Sequence, residues 1–141
     1  MIRIGRVVRA AGALMIVTAV AGACADGAAD DSAGSAGSSE AALRTAAQQW
    51  SRAIAEGDYP AAYRFHSARC RLTLGQEAYV EEMSQRYAGR DLGASEPDIT
   101  VAVTGDTGQV TVRHTDERAG EDDAEPATWK YVDGTWRYDT C

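Results

Sequence analysis

Apolar residues recur at helical spacing in the first half of the region that follows Ser38. Leu43, Ala46, Ala47, Trp50, Ala53 and Ile54 share one face of a helix that Ser38 or Ser39 can cap and that runs to about Glu56. Gly57 can end it in a left-handed conformation. Asp58 then caps a second, short helix with Pro60 in its first turn, followed by Ala61, Ala62, Tyr63, Phe65 and His66. Thr73-Leu74-Gly75-Gln76 has the form of a capping box. It predicts a third helix through Ala78, Tyr79, Val80, Met83 and Tyr87 to about Ala88, stopped at Gly89. From Pro97 the period falls to two. Ile99, Val101 and Val103 alternate with Thr100 and Ala102, residues Thr104 to Gly108 turn the chain, and Val110, Val112 and His114 alternate with Thr111 and Arg113. That pattern predicts a hairpin with one buried face. Asp133-Gly134 joins a further pair, Thr128 to Val132 and Thr135 to Cys141, in which Trp129, Tyr131, Trp136 and Tyr138 are aromatics suited to a half-buried sheet. The stretch Arg90 to Asp98 has room for a short additional strand. The fold class is α+β, three N-terminal helices packed on an antiparallel sheet.

The pattern upstream of Ser38 is of another kind. Arg3, Arg6 and Arg9 precede an uncharged stretch from Ala10 to Ala23 around Leu14-Met15-Ile16-Val17. A spanning helix needs about 20 apolar residues, so this stretch reads as a signal peptide, residues 1–23. No adjacent arginine pair occurs near the start, which favours the general secretory route. Ala21-Gly22-Ala23-Cys24 resembles a bacterial lipobox, with Ala21 where Leu is more usual, and makes Cys24 a lipidation site. The same small residues also fit an ordinary cleavage site that would leave Cys24 a free thiol. Residues 24–39 then form an acylated head and a flexible tether, since Ala25 to Ser39 holds no large apolar side chain. Its reach is about 20 Å. The folded domain is expected over 40–141.

Three cysteines in an exported chain leave one unpaired unless it is modified. With Cys24 lipidated, Cys70 and Cys141 can form one disulfide. Paired metal-ligand spacing is missing among Cys70, Cys141, His66 and His114, so neither a metal nor another cofactor is expected. The whole chain carries 14 basic and 21 acidic residues, formally −7. Without the three arginines of the signal the balance is 11 against 21, or −10. No cluster of Arg or Lys offers phosphates a basic face, which argues against nucleic-acid binding. Asp116 to Glu125 contains six acidic residues and one Arg, and is expected to be a solvated loop.

Trp50 in the first helix, Glu56-Gly57-Asp58-Tyr59 between helices and Asp133-Gly134-Thr135-Trp136-Arg137 closing the last hairpin together resemble the nuclear transport factor 2-like superfamily, over about residues 40–141. The resemblance is greatest to small exported actinobacterial members, in which a cysteine after the second helix pairs with one at the end of the last strand. The near absence of lysine, Lys130 alone, beside 13 arginines is compatible with a GC-rich genome. The resemblance implies a curved sheet wrapped around a helix, a cystatin-like cone open at one end, with Trp50, Tyr63, Tyr79 and Tyr87 as cavity candidates. Such folds host isomerases, dehydratases and cyclases as well as binding and interaction modules. His66 and His114 are the one pair comparable to the cavity histidine and aspartate of the cyclase and dehydratase types, and are weak catalytic candidates. The chain has no Gly-x-Ser-x-Gly elbow, phosphate loop or His-Glu-x-x-His helix. The expectation is an exported protein held to the membrane through lipid on Cys24. Its domain binds a small apolar ligand or an envelope protein without catalysis, with a homodimer as a further arrangement; a tethered isomerase, dehydratase or cyclase is the alternative.

Overall fold

Ser39 opens the first helix, its hydroxyl accepting from the Ala42 amide at 3.3 Å. The computed structural model describes residues 36–120 and 124–141. Helix α1 spans Glu40–Ala55, α2 Tyr59–Tyr63, α3 Ala68–Thr73 and α4 Gln76–Arg86. Strands β1 Asp98–Thr104, β2 Thr107–Arg113, β3 Ala127–Val132 and β4 Thr135–Tyr138 form one open antiparallel sheet in the order β1-β2-β3-β4. The signal segment, Cys24 and residues 25–35 of the tether lie outside the described residues. The last tether residues, Ala36–Ser38, form a 3-10 turn that packs on the sheet, where a Cβ on Gly37 would lie 1.9 Å from the Tyr131 hydroxyl.

Helix α1 serves two cores. Its first half sends Leu43 and Ala47 onto Val101, Val110, Val112, Trp129 and Trp136 of the sheet. Its second half sends Ala53 and Ile54 among Ala62, Tyr63, Tyr79, Met83 and Leu92. Trp50 packs against both clusters. The Asp58 carboxylate accepts from the Ala61 amide at 3.0 Å and starts α2 after a left-handed Gly57.

Among the described residues four α-helices form where the pattern predicts three. The additional one, α3, is nucleated by Ser67, whose hydroxyl accepts from the Cys70 amide at 3.2 Å. The capping box at Thr73 does not form. Thr73 closes α3 by donating its hydroxyl to the Cys70 carbonyl at 3.0 Å, and Gly75 stands at the α4 cap with no side-chain bond. Ala78, expected on the buried face of that helix, is exposed. His66 lies past the end of α2, in an isolated parallel bridge to Tyr138. Among the described residues 90–97 hold no strand; their anchor is Leu92, buried in the helical core.

Strands β1 and β2 pair along their whole length, Asp98 opposite Arg113 and Thr104 opposite Thr107. The turn is therefore the two residues Gly105-Asp106, shorter than Thr104 to Gly108, with positive φ at Gly105 alone, as a type II′ turn requires. Gly108 belongs to the sheet. A Cβ there would meet Leu43 at 2.3 Å, so its bare Cα lets α1 lie close on β2. Asp133 and Gly134 both have positive φ, the pattern of a type I′ turn. β4 ends at Tyr138 rather than Cys141, and the Asp139 side chain beyond it pairs with Ser67 and Arg69.

The acidic segment is not solvated throughout. Asp116 forms a two-pronged ion pair with Arg90, at 3.0 Å to Nε and 2.6 Å to Nη2, with both side chains only 7% exposed. The guanidinium holds the Asp116 carboxyl below the usual carboxylate range.

Candidate functional site

The segment Phe65–Cys70 and the segment Tyr138–Cys141 are joined along their length. The Tyr138 amide donates to the Phe65 carbonyl and the Ser67 amide to the Tyr138 carbonyl, each at 2.8 Å. The Ser67 hydroxyl donates to Asp139 Oδ1 at 2.5 Å, and Arg69 pairs with Oδ2 at 3.1 Å. Burial pushes the Asp139 carboxyl up, but Ser67 and Arg69 outweigh it and hold the group below its ordinary value. Cys70 and Cys141 close the junction as a disulfide, with sulfurs 2.11 Å apart.

This junction, α1 and α4 enclose a cleft of about 420 Å³. Its walls are rings and apolar stems: Trp50 from α1, Tyr79, Met83 and Tyr87 on the α4 side, Leu74 from the α3–α4 link, and Tyr138 from β4. Trp50 stacks on Tyr138, with centroids 5.5 Å apart and planes 21° from parallel. His66 lies edge-on to Tyr79 and also touches Tyr138, each at 4.8 Å between centroids. Its Nδ1 is 3.1 Å from the Tyr63 carbonyl, which can only accept, so Nδ1 carries the proton and Nε2 is the acceptor nitrogen of the neutral ring. Desolvation lowers the pKa of His66 and keeps it neutral at pH 7.

A second, smaller cleft of about 130 Å³ adjoins the first and shares Trp50, Arg86, Tyr87, Tyr138 and Thr140 with it. It is lined by Val110, Val112, His114 and Trp129. His114 follows β2 on its buried side and packs edge-on to Tyr87 at 5.8 Å. His66 lines the larger cleft and His114 the smaller one beside it. Of the cavity candidates, Trp50, Tyr79 and Tyr87 meet at the larger cleft. Tyr63 does not: it is buried in the helical core and donates its hydroxyl to the Leu74 carbonyl at 2.8 Å.

The larger cleft offers few charged groups. Glu82 and Arg86 stand at its edge, more than half exposed and paired with each other at 3.3 Å. Inside, the polar atoms are neutral. The Tyr79 hydroxyl and the Trp50 indole nitrogen are buried with no hydrogen-bond partner among the described residues. Trp50 lies near enough to the phenol to pull its pKa down in part, short of hydrogen-bond geometry, while burial raises that pKa well above the phenol range. Grooves of about 460 and 410 Å³ elsewhere are lined by opposed surface charges, Arg44 and Arg52 with Asp98 in one and Arg118 with Glu117 in the other. Sequence reasoning did not find Tyr138, Met83 or Leu74 as cleft residues. Tyr138 had a signal, its place on the buried phase of the last strand, but the cleft it faces is made by segments distant in the chain.

Among the described residues no helix is long and apolar enough to cross a membrane, and no group of three or more His, Cys, Asp or Glu comes together as a metal site. No protein-family model, curated protein or solved structure matches the chain.

Proposed function

We propose that this chain is an exported, lipid-anchored protein whose domain holds a small, largely apolar molecule in the aromatic cleft and does no chemistry on it. The observation that carries the reading is the cleft itself. Its volume of about 420 Å³ falls within the range of roughly 300–1,000 Å³ typical of small-molecule sites, and its walls are mainly aromatic and aliphatic with a few neutral polar groups. The nuclear transport factor 2-like cone is the architecture we infer, with the cleft between α1, α4 and the sheet as its interior. Against catalysis stands the exposed, paired state of Glu82. Pairing of Cys70 with Cys141 supports the anchor, because it leaves Cys24 as the odd cysteine of the three.

Native mass spectrometry of the protein isolated from its own envelope tests both halves. A bound molecule of small mass and a diacylglycerol-sized increment on Cys24 are the expected results. An unmodified Cys24 removes the anchor. A ligand-free protein that also binds no apolar probe removes the binding role.

A further inference from the structure

Helix α3 buries one side chain, Cys70. At about 100° per residue, a helix that turns Cys70 inward points Ala68 and Leu72 away from the protein and sets Arg69 and Arg71 on its two flanks. The exposures agree. All four residues are exposed, and Leu72, at 89%, far exceeds Val132 at 46%, the other large apolar side chain in the open among the described residues. The helix cannot roll to hide the leucine, because the Ser67 hydroxyl caps it and the disulfide to Cys141 holds it. An apolar tip between two arginines has the form of a short interfacial anchor. The leucine can enter hydrocarbon while the arginine stems lie along the boundary and their guanidinium heads stay with phosphates.

Charge names the partner. From Tyr59 to Gln76 the chain has three arginines and no acidic residue, although the whole chain carries 21 acidic against 14 basic residues. Arg64 and Arg71 form no ion pair among the described residues, and Arg69, though paired with Asp139, keeps 59% of its side chain exposed. The position of the tether agrees with a surface on this side. Gly37, in the turn that ends the tether, lines one groove with Phe65 and Arg137, and Phe65 is three residues, about 11 Å of chain at most, before Ala68.

We propose that α3 is a membrane-docking face: Leu72 inserts among the acyl chains of an anionic phospholipid surface, with Arg69 and Arg71 against its phosphates. The proposal rests on the lipid-anchor reading above and says which side of the domain meets the bilayer. Thr73 and Leu74, directly after Leu72, line the aromatic cleft, so docking holds the rim of that cleft at the lipid surface.

The protein isolated from its own envelope is reconstituted on vesicles of phosphatidylglycerol and, separately, of phosphatidylcholine, and amide hydrogen exchange is followed over residues 64–76. Exchange is expected to be about fivefold slower on phosphatidylglycerol, the effect of about one arginine at an anionic surface, and to recover at high salt. Leu72→Ala and Arg71→Gln, both at exposed positions, should each lose most of this protection with melting midpoints unchanged. Equal exchange on the two lipids, or undiminished protection in both variants, overturns docking through α3. Stronger protection by dissolved polyglutamate than by phosphatidylglycerol assigns the face to an acidic polypeptide and overturns it as well. Intact mass of the same sample reads the anchor separately. A lipidated Cys24 with equal exchange on both lipids overturns docking alone, an unmodified Cys24 with protection overturns the anchor alone, and an unmodified Cys24 without protection overturns both.

Discussion

At the scale of single residues, the cleft makes a claim about stability that separates it from an ordinary core. A buried hydroxyl with a partner is worth about 1 kcal/mol, whereas one without a partner costs its desolvation. Tyr79→Phe is therefore expected to leave the unliganded protein unchanged or up to about 1 kcal/mol more stable in urea titration. A loss of that size would mean that the hydroxyl is bonded. Gly108→Ala acts in the opposite direction. The added methyl would stand 2.3 Å from Leu43 and 3.2 Å from Trp136, so either α1 lifts from β2 or both side chains leave their places. Overpacking of this kind costs about 1–3 kcal/mol, and the same titration reads it. The sequence suggested a turn glycine at 108 because Thr104 to Gly108 is rich in turn residues. The constraint at Gly108 is the distance to a helix more than 60 residues earlier in the chain, which no local pattern expresses.

At the scale of elements, legibility follows how local the determining contacts are. Helix α1 and the last hairpin turn were readable because Ser39, Gly57 and the Asp133-Gly134 pair act within a few residues of themselves, whereas the first hairpin was readable with its turn drawn too long. Helix α3 was not. It has six residues and one buried side chain, Cys70, too few to show a period. Thr73-Leu74-Gly75-Gln76 misled for a related reason: a Thr hydroxyl can bond forward as a cap or backward to the preceding turn, and here the carbonyl of Cys70 takes it. The junction between α3 and the end of β4 is likewise tertiary, and it is where an element-scale prediction belongs. Ser67→Ala removes a helix cap and an Asp139 partner in one change, with an expected loss of about 1–2 kcal/mol. Replacing both Cys70 and Cys141 by Ala should cost about 2–4 kcal/mol, given a sequence separation of 71 residues. Thermal melts of the two variants, with and without reductant, distinguish them: only wild type and Ser67→Ala should lose further stability when reduced.

For the whole molecule, pH is the lever that reaches every buried charge. His66 has a folded pKa below its ordinary 6.5. The unfolded chain therefore takes up a proton first as pH falls, and stability declines from about 6.5 downward until the folded pKa is passed. Asp116 and Asp139 are held below the ordinary 3.8, so their stabilisation is present above that value and is lost as pH falls through their folded pKa values. The expected profile of melting midpoint against pH has two descending steps, one below about 6.5 and one below about 3.8. His66→Phe should remove the first step and keep the second; an unchanged profile in that variant would show that another group titrates there. Breaking the Arg90–Asp116 pair by Asp116→Ala should lower the midpoint more than Glu82→Ala, since the former takes the carboxylate from a guanidinium that is 7% exposed while the latter takes it from an arginine already more than half in water.

The Cys70–Cys141 bond also determines how the domain responds to proteolysis. All of α4 and all four strands lie between its two cysteines, and so does the exposed run Gly93–Glu96. A protease that cuts that run opens the backbone without releasing a fragment, because Cys70 on the upstream piece stays bonded to Cys141 on the downstream piece. The nicked protein keeps the mass of the intact chain plus one water until it is reduced, when it separates into a helical piece and a sheet piece. Degradation by this route would then take two steps in order, a peptidase cut and a disulfide reduction, and the half-life of the protein would follow the slower of the two.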